Sequence, residues 1–175
     1  MKEATPYMQA VVDGLCSAGV ATFTHVPSSH AAPVIRGLEA RGVRSVLANR
    51  EDEAIGIAGG LRLVNVRSAV VMQDNGFGNA LTALTTFALA YHVGLPIIAN
   101  ERGGVGEYNS MIHAISDTVP GILRASGIRV ERVSAADSPE YWRSSIEATA
   151  TLAFMQRRPI VALFPALHPA LGVHA

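Results

Sequence analysis

Three consecutive carboxylates, Glu51-Asp52-Glu53, open the segment Ala54-Ile55-Gly56-Ile57-Ala58-Gly59-Gly60. At the first turn of a helix, carboxylates complement the helix dipole, and that alone would account for the cluster. The glycines are less ordinary. Each costs roughly 1 kcal/mol against alanine in a helix interior. A helix that carries three of them is suited to close approach by another backbone or a ligand. A carboxylate at its head points to a buried acid at an interface.

The second group is Met72-Gln73-Asp74-Asn75-Gly76-Phe77-Gly78-Asn79-Ala80. Gly76-Phe77-Gly78 follows a predicted strand and opens a predicted helix, the context of a phosphate loop. A dinucleotide fingerprint needs a third small residue where Leu81 stands, and Glu101 comes late for the acidic residue on the following strand. The sole lysine is Lys2, so no Gly-Lys-Ser/Thr ending exists and nucleoside triphosphatase chemistry is excluded.

The six histidines contain no His-x-x-x-His pair, and most read as structural or surface residues. His30 and His113 stand apart because both fall in loops that could line a site. The single cysteine, Cys16, excludes a disulfide within one chain and a cysteine-based zinc site. It falls within a helix pattern and reads as a buried structural thiol. There is no Gly-x-Ser-x-Gly elbow. Ser28 and Ser29 lie on a strand-to-helix turn, where capping would explain them.

The elements that must position these residues alternate along the chain. Short apolar runs at Val20–Val26, Val43–Ala48, Ser68–Met72, Leu95–Ala99, Ile128–Val133 and Pro159–Phe164 predict strands covered on both faces. Helices are predicted over Thr5–Ala18, Ala31–Arg41, Glu51–Val64, Gly78–His92, Asp117–Ser126 and Ser138–Gln156. Thr5-Pro6 and Ser138-Pro139 are helix starts of one kind, a capping hydroxyl followed by proline. The β–α order predicts an α/β fold over residues 1–175. It is a three-layer, doubly wound parallel sheet of about six strands with helices on both faces. Ligands of such sheets sit at the carboxyl ends of the strands. That rule selects Pro27–His30, Asn49–Glu53, Gln73–Asn79, Asn100–Gly106 and Pro165–His168. Gly103–His113 is the longest irregular stretch and the candidate mobile loop.

Composition excludes other classes. Apolar residues make up 49% of the 175 and charged residues 16%, enough to bury a core. Fourteen basic and fourteen acidic side chains cancel, which argues against nucleic acid as a partner. No basic run suits a membrane surface, and no apolar run approaches a membrane span. The polar start Met1-Lys2-Glu3-Ala4-Thr5-Pro6 lacks a signal-peptide core, so a cytoplasmic protein is expected.

One family resemblance emerges. Asn49–Gly60, with Gly60 nine positions after Glu51, resembles the pyrimidine-binding domain of thiamine-diphosphate enzymes. Met72–Ala80 is similar to the Met-Gln-Asn-Ser-Gly-x-Gly-Asn stretch of the sulfopyruvate and phosphonopyruvate decarboxylases, with Asp74-Asn75 in place of Asn-Ser. Val26-Pro27-Ser28-Ser29 resembles their Val-Pro-Asp-Ser turn, with Ser28 replacing Asp, and Glu101-Arg102-Gly103 their Arg-Gly.

The resemblance implies decarboxylation of a 2-oxo acid by cofactor chemistry. Glu51 would hydrogen-bond a pyrimidine ring nitrogen and share a proton with it. Asn75, Gly76, Gly78 and Asn79 would line the cofactor site. Ser28, Ser29, His30 and Arg102 would face substrate, and His113 would carry a proton near neutral pH. Arg102 suits a sulfonate or phosphonate, although a structural salt bridge would explain it equally. The family's Gly-Asp-Gly metal motif is absent from these residues. The resemblance therefore implies a hetero-oligomer in which a β subunit supplies the diphosphate and Mg²⁺ half, with this chain contributing no metal ligand. Sulfopyruvate is the first-choice substrate and phosphonopyruvate the second. A non-catalytic flavodoxin-like binding module or an inactive scaffold subunit remain the rival readings.

Overall fold

A computed structural model describes residues 5–168 and 171. Six strands form one sheet: β1 (Thr22–His25), β2 (Arg44–Leu47), β3 (Ser68–Gln73), β4 (Pro96–Glu101), β5 (Arg129–Arg132) and β6 (Ile160–Pro165). All neighbours pair in parallel, in the order β2-β1-β3-β4-β6-β5. Every expected strand is present. The helices are α1 (Pro6–Ser17), α2 (Ala32–Ala40), α3 (Glu51–Leu63), α4 (Phe77–Ala83), α5 (His113–Ala125) and α6 (Pro139–Gln156).

Strand alternation divides the core into two layers. Ala69, Val71 and Ile98 meet α1, α2 and α6 on one face, while Val70, Met72, Ile97 and Ala99 meet α3, α4 and α5 on the other. On the first face, Trp142 of α6 is fully buried. It packs edge-on to Tyr7 at 5.0 Å and beside Phe164, and its indole N–H donates to Ser134 O at 2.8 Å.

Both hydroxyl–proline helix starts form. Thr5 accepts from Met8 N and Ser138 from Tyr141 N. Two helices differ from expectation. The stretch read as one helix over 78–92 is α4 followed by a π-helical segment, Leu84–Leu89. Here the hydroxyls of Thr85 and Thr86 bond back to Leu81 O and Thr82 O, which competes with the regular ladder. Helix α5 begins at His113, not Asp117, and its added first turn is anchored by buried Ser116 and by His113 Nδ1 against Gly103 O. Cys16 is half-buried, so its thiol is less enclosed than a core position would make it.

Strand β1 connects toward β2 on one side and β3 toward β4 on the other, so the order reverses between β1 and β3. A crevice opens at such a switch point, outside the carboxyl ends of the strands. The turns after β1 and β3 and the head of α3 surround it.

Candidate functional site

Helix α3 is fixed to the sheet before its carboxylates are considered. Buried Thr24 donates to Ala54 O at 3.0 Å, and buried Ser68 donates to Ala58 O at 2.6 Å. The three acids then separate by role. Glu53 Oε2 accepts from Asn49 N, and Asp52 accepts from Glu53 N and from Arg50. These two finish the helix start, as dipole and capping arguments require.

Glu51 does not. Its half-buried side chain crosses to the first turn of α4, where Asn79 Nδ2 donates to Oε2 at 2.9 Å. Gly76 makes room for it. A Cβ there would lie 2.5 Å from Glu51 Cγ and 2.5 Å from Oε1. Oε1 makes no hydrogen bond among the described residues. The carboxylate is thus pinned through one oxygen and presents the other at the crevice.

The glycines of α3 also separate. Gly59 faces inward, and a Cβ would strike the Phe87 ring of the π segment. Gly56 and Gly60 are exposed, with nothing within 4 Å of a Cβ. The close approach that excuses Gly59 is within the chain. Among the described residues nothing excuses the other two.

The remaining candidates fall into two groups. After β1, Ser28 Oγ accepts from Ala31 N, and Ser29 meets His30 Nδ1 at 3.3 Å. Ser28 therefore closes the turn that precedes α2, whose own N-cap is Ala31. Burial and the Arg102 charge push His30 below the ordinary histidine range, with Glu107 opposing. Asn75 and Gly78 are exposed beside the Glu51 contact. After β4, Arg102 is spent on internal bonds. Nε and Nη2 donate to Glu107 at 2.6 and 2.9 Å, and Nη1 donates to Gln73 at 2.7 Å. Binding a substrate anion with this guanidinium would require displacing Glu107. His113 Nδ1 lies 2.7 Å from Gly103 O and ties α5 to the loop.

Sequence reasoning missed Glu107 and undervalued Asp74. Glu107 is an isolated acid five residues after Arg102 in a glycine-rich loop, a faint signal. Its side chain is 1% exposed and also accepts from Gly103 N and Asn109 N, and the Arg102 guanidinium holds its pKa down at about 2. Loop 103–112 is therefore organised around a buried ion pair. Asp74 is 1% exposed and accepts from Arg102 N. Burial pushes its carboxyl up, against smaller opposing effects from that bond and from Ser116.

A cavity of about 490 Å³ opens beyond this loop, at the carboxyl ends of β4, β5 and β6. Arg102 and Glu107 line one side and the Arg132–Glu101 pair another. Among the described residues, no group of three or more His, Cys, Asp or Glu is placed to hold a metal ion. Among the same residues, no helix is long and apolar enough to cross a membrane.

The family model for the thiamine pyrophosphate enzyme N-terminal TPP-binding domain matches residues 6–119, which include both turns and the head of α3. The chain belongs to this family. Within the TPP-binding domain, the matched stretch holds Glu51, Gly76 and Asn79 together. Relatives narrow the neighbourhood. Sulfopyruvate decarboxylase subunit alpha of Methanothermobacter thermautotrophicus is 30% identical over 101 residues, 57% of this chain and 61% of that one. The subunit alpha of Methanococcus maripaludis is 29% identical over 57% of this chain and 60% of its own. The chain thus spans about three fifths of these relatives. A 2-oxoglutarate:ferredoxin oxidoreductase from Magnetococcus marinus superposes with a TM-score of 0.64 over 93% of this chain and 29% of its own, at 16% identity. That last likeness bears on fold alone.

Proposed function

We propose that this TPP-binding domain is the α half of a two-chain decarboxylase acting on a short anionic 2-oxo acid. Sulfopyruvate is the preferred substrate, and phosphonopyruvate comes next. The observation that carries the reading is the Glu51 carboxylate, pinned by Asn79, cradled by Gly76 and open at Oε1. A pyrimidine ring nitrogen is a group that such an oxygen fits. Thiamine diphosphate, when bound, supplies the electron sink for loss of carbon dioxide from a 2-oxo acid.

The chain's own contribution is positional and protonic. Asn79 holds Oε2, so Glu51 keeps one orientation through a proton exchange at Oε1. Asn75, Gly76 and Gly78 leave the crevice beside it unobstructed. His30, Ser28 and Ser29 border the substrate side, and His113 at the root of α5 is the candidate proton carrier there.

A partner chain carrying the diphosphate and Mg²⁺ ligands completes the site in this proposal. Two observations support a partner. The relatives are named as alpha subunits. The exposed Gly56 and Gly60 leave a bare helix ridge running from the Glu51 end of α3. A ridge of that kind lets a second backbone come close.

The test is affinity purification of the tagged chain from its own cells, followed by native mass spectrometry and carbon dioxide release from each acid. A co-purifying chain with Gly-Asp-Gly, bound thiamine diphosphate and activity abolished by Glu51→Gln is the expected result. Full turnover in the Glu51→Gln complex would overturn the proposal.

A further inference from the structure

The loop that leaves β4 does not stay over β4. Tyr108 lies with its ring 6.3 Å from the His30 ring, and His30 follows β1. Since β3 lies between β1 and β4, the loop bridges the carboxyl end of β3 and passes over the switch-point crevice. Tyr108 itself is 66% exposed, so its own burial does not hold it there. The bridge is held from below. Arg102 and Glu107 are 5% and 1% exposed and meet side-on through two bonds. The Arg102 guanidinium lies 5.9 Å from the Tyr108 ring. Gln73, at the end of β3, takes the remaining edge of the guanidinium, and Asp74 takes the backbone N–H of Arg102. The next residues in the chain lead into the start of α4, which holds Glu51.

We propose that Glu107 is a positioning residue. Through Arg102 it holds the β4 loop as a bridge over β3, so that Tyr108 closes the crevice beside His30 and borders the substrate. The word substrate rests on the decarboxylase reading; the bridge rests on this chain alone. Glu107 touches neither Glu51 nor His30 directly in this scheme. It acts by fixing the loop that carries Tyr108.

Two variants test the bridge by NMR titration of the His30 ring in the isolated chain. Tyr108→Ala removes an exposed side chain and is expected to leave the melting temperature unchanged. Arg102→Met/Glu107→Leu replaces the buried pair with apolar groups of similar volume, a change that buried ion pairs commonly tolerate. Among the described residues, Arg102, Glu107, the Ser29 hydroxyl and the Tyr108 phenol are the polar groups about His30. In both variants the His30 midpoint is expected to rise. Tyr108→Ala uncovers the ring, and the double variant also removes Arg102, whose effect on His30 exceeds that of Glu107. An unmoved midpoint in the folded variants would overturn the bridge. In the assembled enzyme, Tyr108→Ala is expected to raise KM roughly five-fold with kcat retained. A shifted His30 with unchanged KM would overturn the substrate-bordering role. If neither acid is turned over by the unmodified complex, the decarboxylase reading fails and the NMR result still decides the bridge.

Discussion

Asn79 and Glu51 are 28 residues apart in sequence and 2.9 Å apart in space, joined by an amide donating to a carboxylate. That bond crosses from the first turn of α4 to the head of α3. It is where two separately weak sequence signals become one site.

Removing the donor frees the acid without emptying the crevice. On the proposed decarboxylase reading, Asn79→Ala is expected to lower kcat in the assembled enzyme about ten-fold, the scale of one lost orienting hydrogen bond. The melting temperature should hardly change, because Asn79 is exposed. Steady-state kinetics and a thermal melt on the same preparation check both parts.

Gly76→Ala attacks the same carboxylate from the other side. The new methyl would meet Glu51 Cγ, Cδ and Oε1, all on a flexible side chain. Glu51 is expected to swing away while the fold survives. The outcome to measure is loss of turnover with a melting temperature within a few degrees of the parent.

The glycines of α3 should split by face. Gly56→Ala and Gly60→Ala relieve a helix penalty in open space and are expected to stabilise the isolated chain by about 0.5–1 kcal/mol each. On the two-chain reading proposed above, the same changes should weaken assembly with the partner. Gly59→Ala meets the Phe87 ring and should destabilise the chain. Denaturant melts and partner titration distinguish the two faces.

Acid should loosen the loop. Glu107 titrates at about 2 when folded, below its ordinary 4.5, so its stabilising contribution is full above the ordinary value. That contribution, on the order of 3 kcal/mol, is lost as pH falls toward 2. Asp74 has the opposite sign. Its folded value is raised, so ionising it at neutral pH costs stability that is present in acid. Asp74→Asn keeps an oxygen for Arg102 N and is expected to raise the melting temperature at pH 7, with the gain shrinking in acid. Melts across pH on Glu107→Gln and Asp74→Asn separate the two.

The strands and the two hydroxyl–proline helix starts were legible because each depends on local pattern. Val70 and Val71 announce a covered strand, and Ser138-Pro139 announces a helix. Glu51 was legible for a related reason, since a carboxylate before Gly56, Gly59 and Gly60 is a local oddity. Other features depended on partners far along the chain. Spacing did not distinguish Gly59, against Phe87, from the open Gly56 and Gly60. Arg102 looked equally fit for a ligand anion or a salt bridge until Glu107 was seen to hold it. The π segment depends on where Thr85 and Thr86 send their hydroxyls, which composition does not encode.

Trp142 is the single tryptophan of the chain and lies wholly within the α1–α6 layer, across the sheet from Glu51. Its emission therefore comes from one apolar environment and shifts only when that layer opens to water. Substitutions at the crevice leave this chromophore's surroundings intact. The molecule thus carries its own optical gauge of global unfolding, blind to local rearrangement around the carboxylate, with no dye or label to attach.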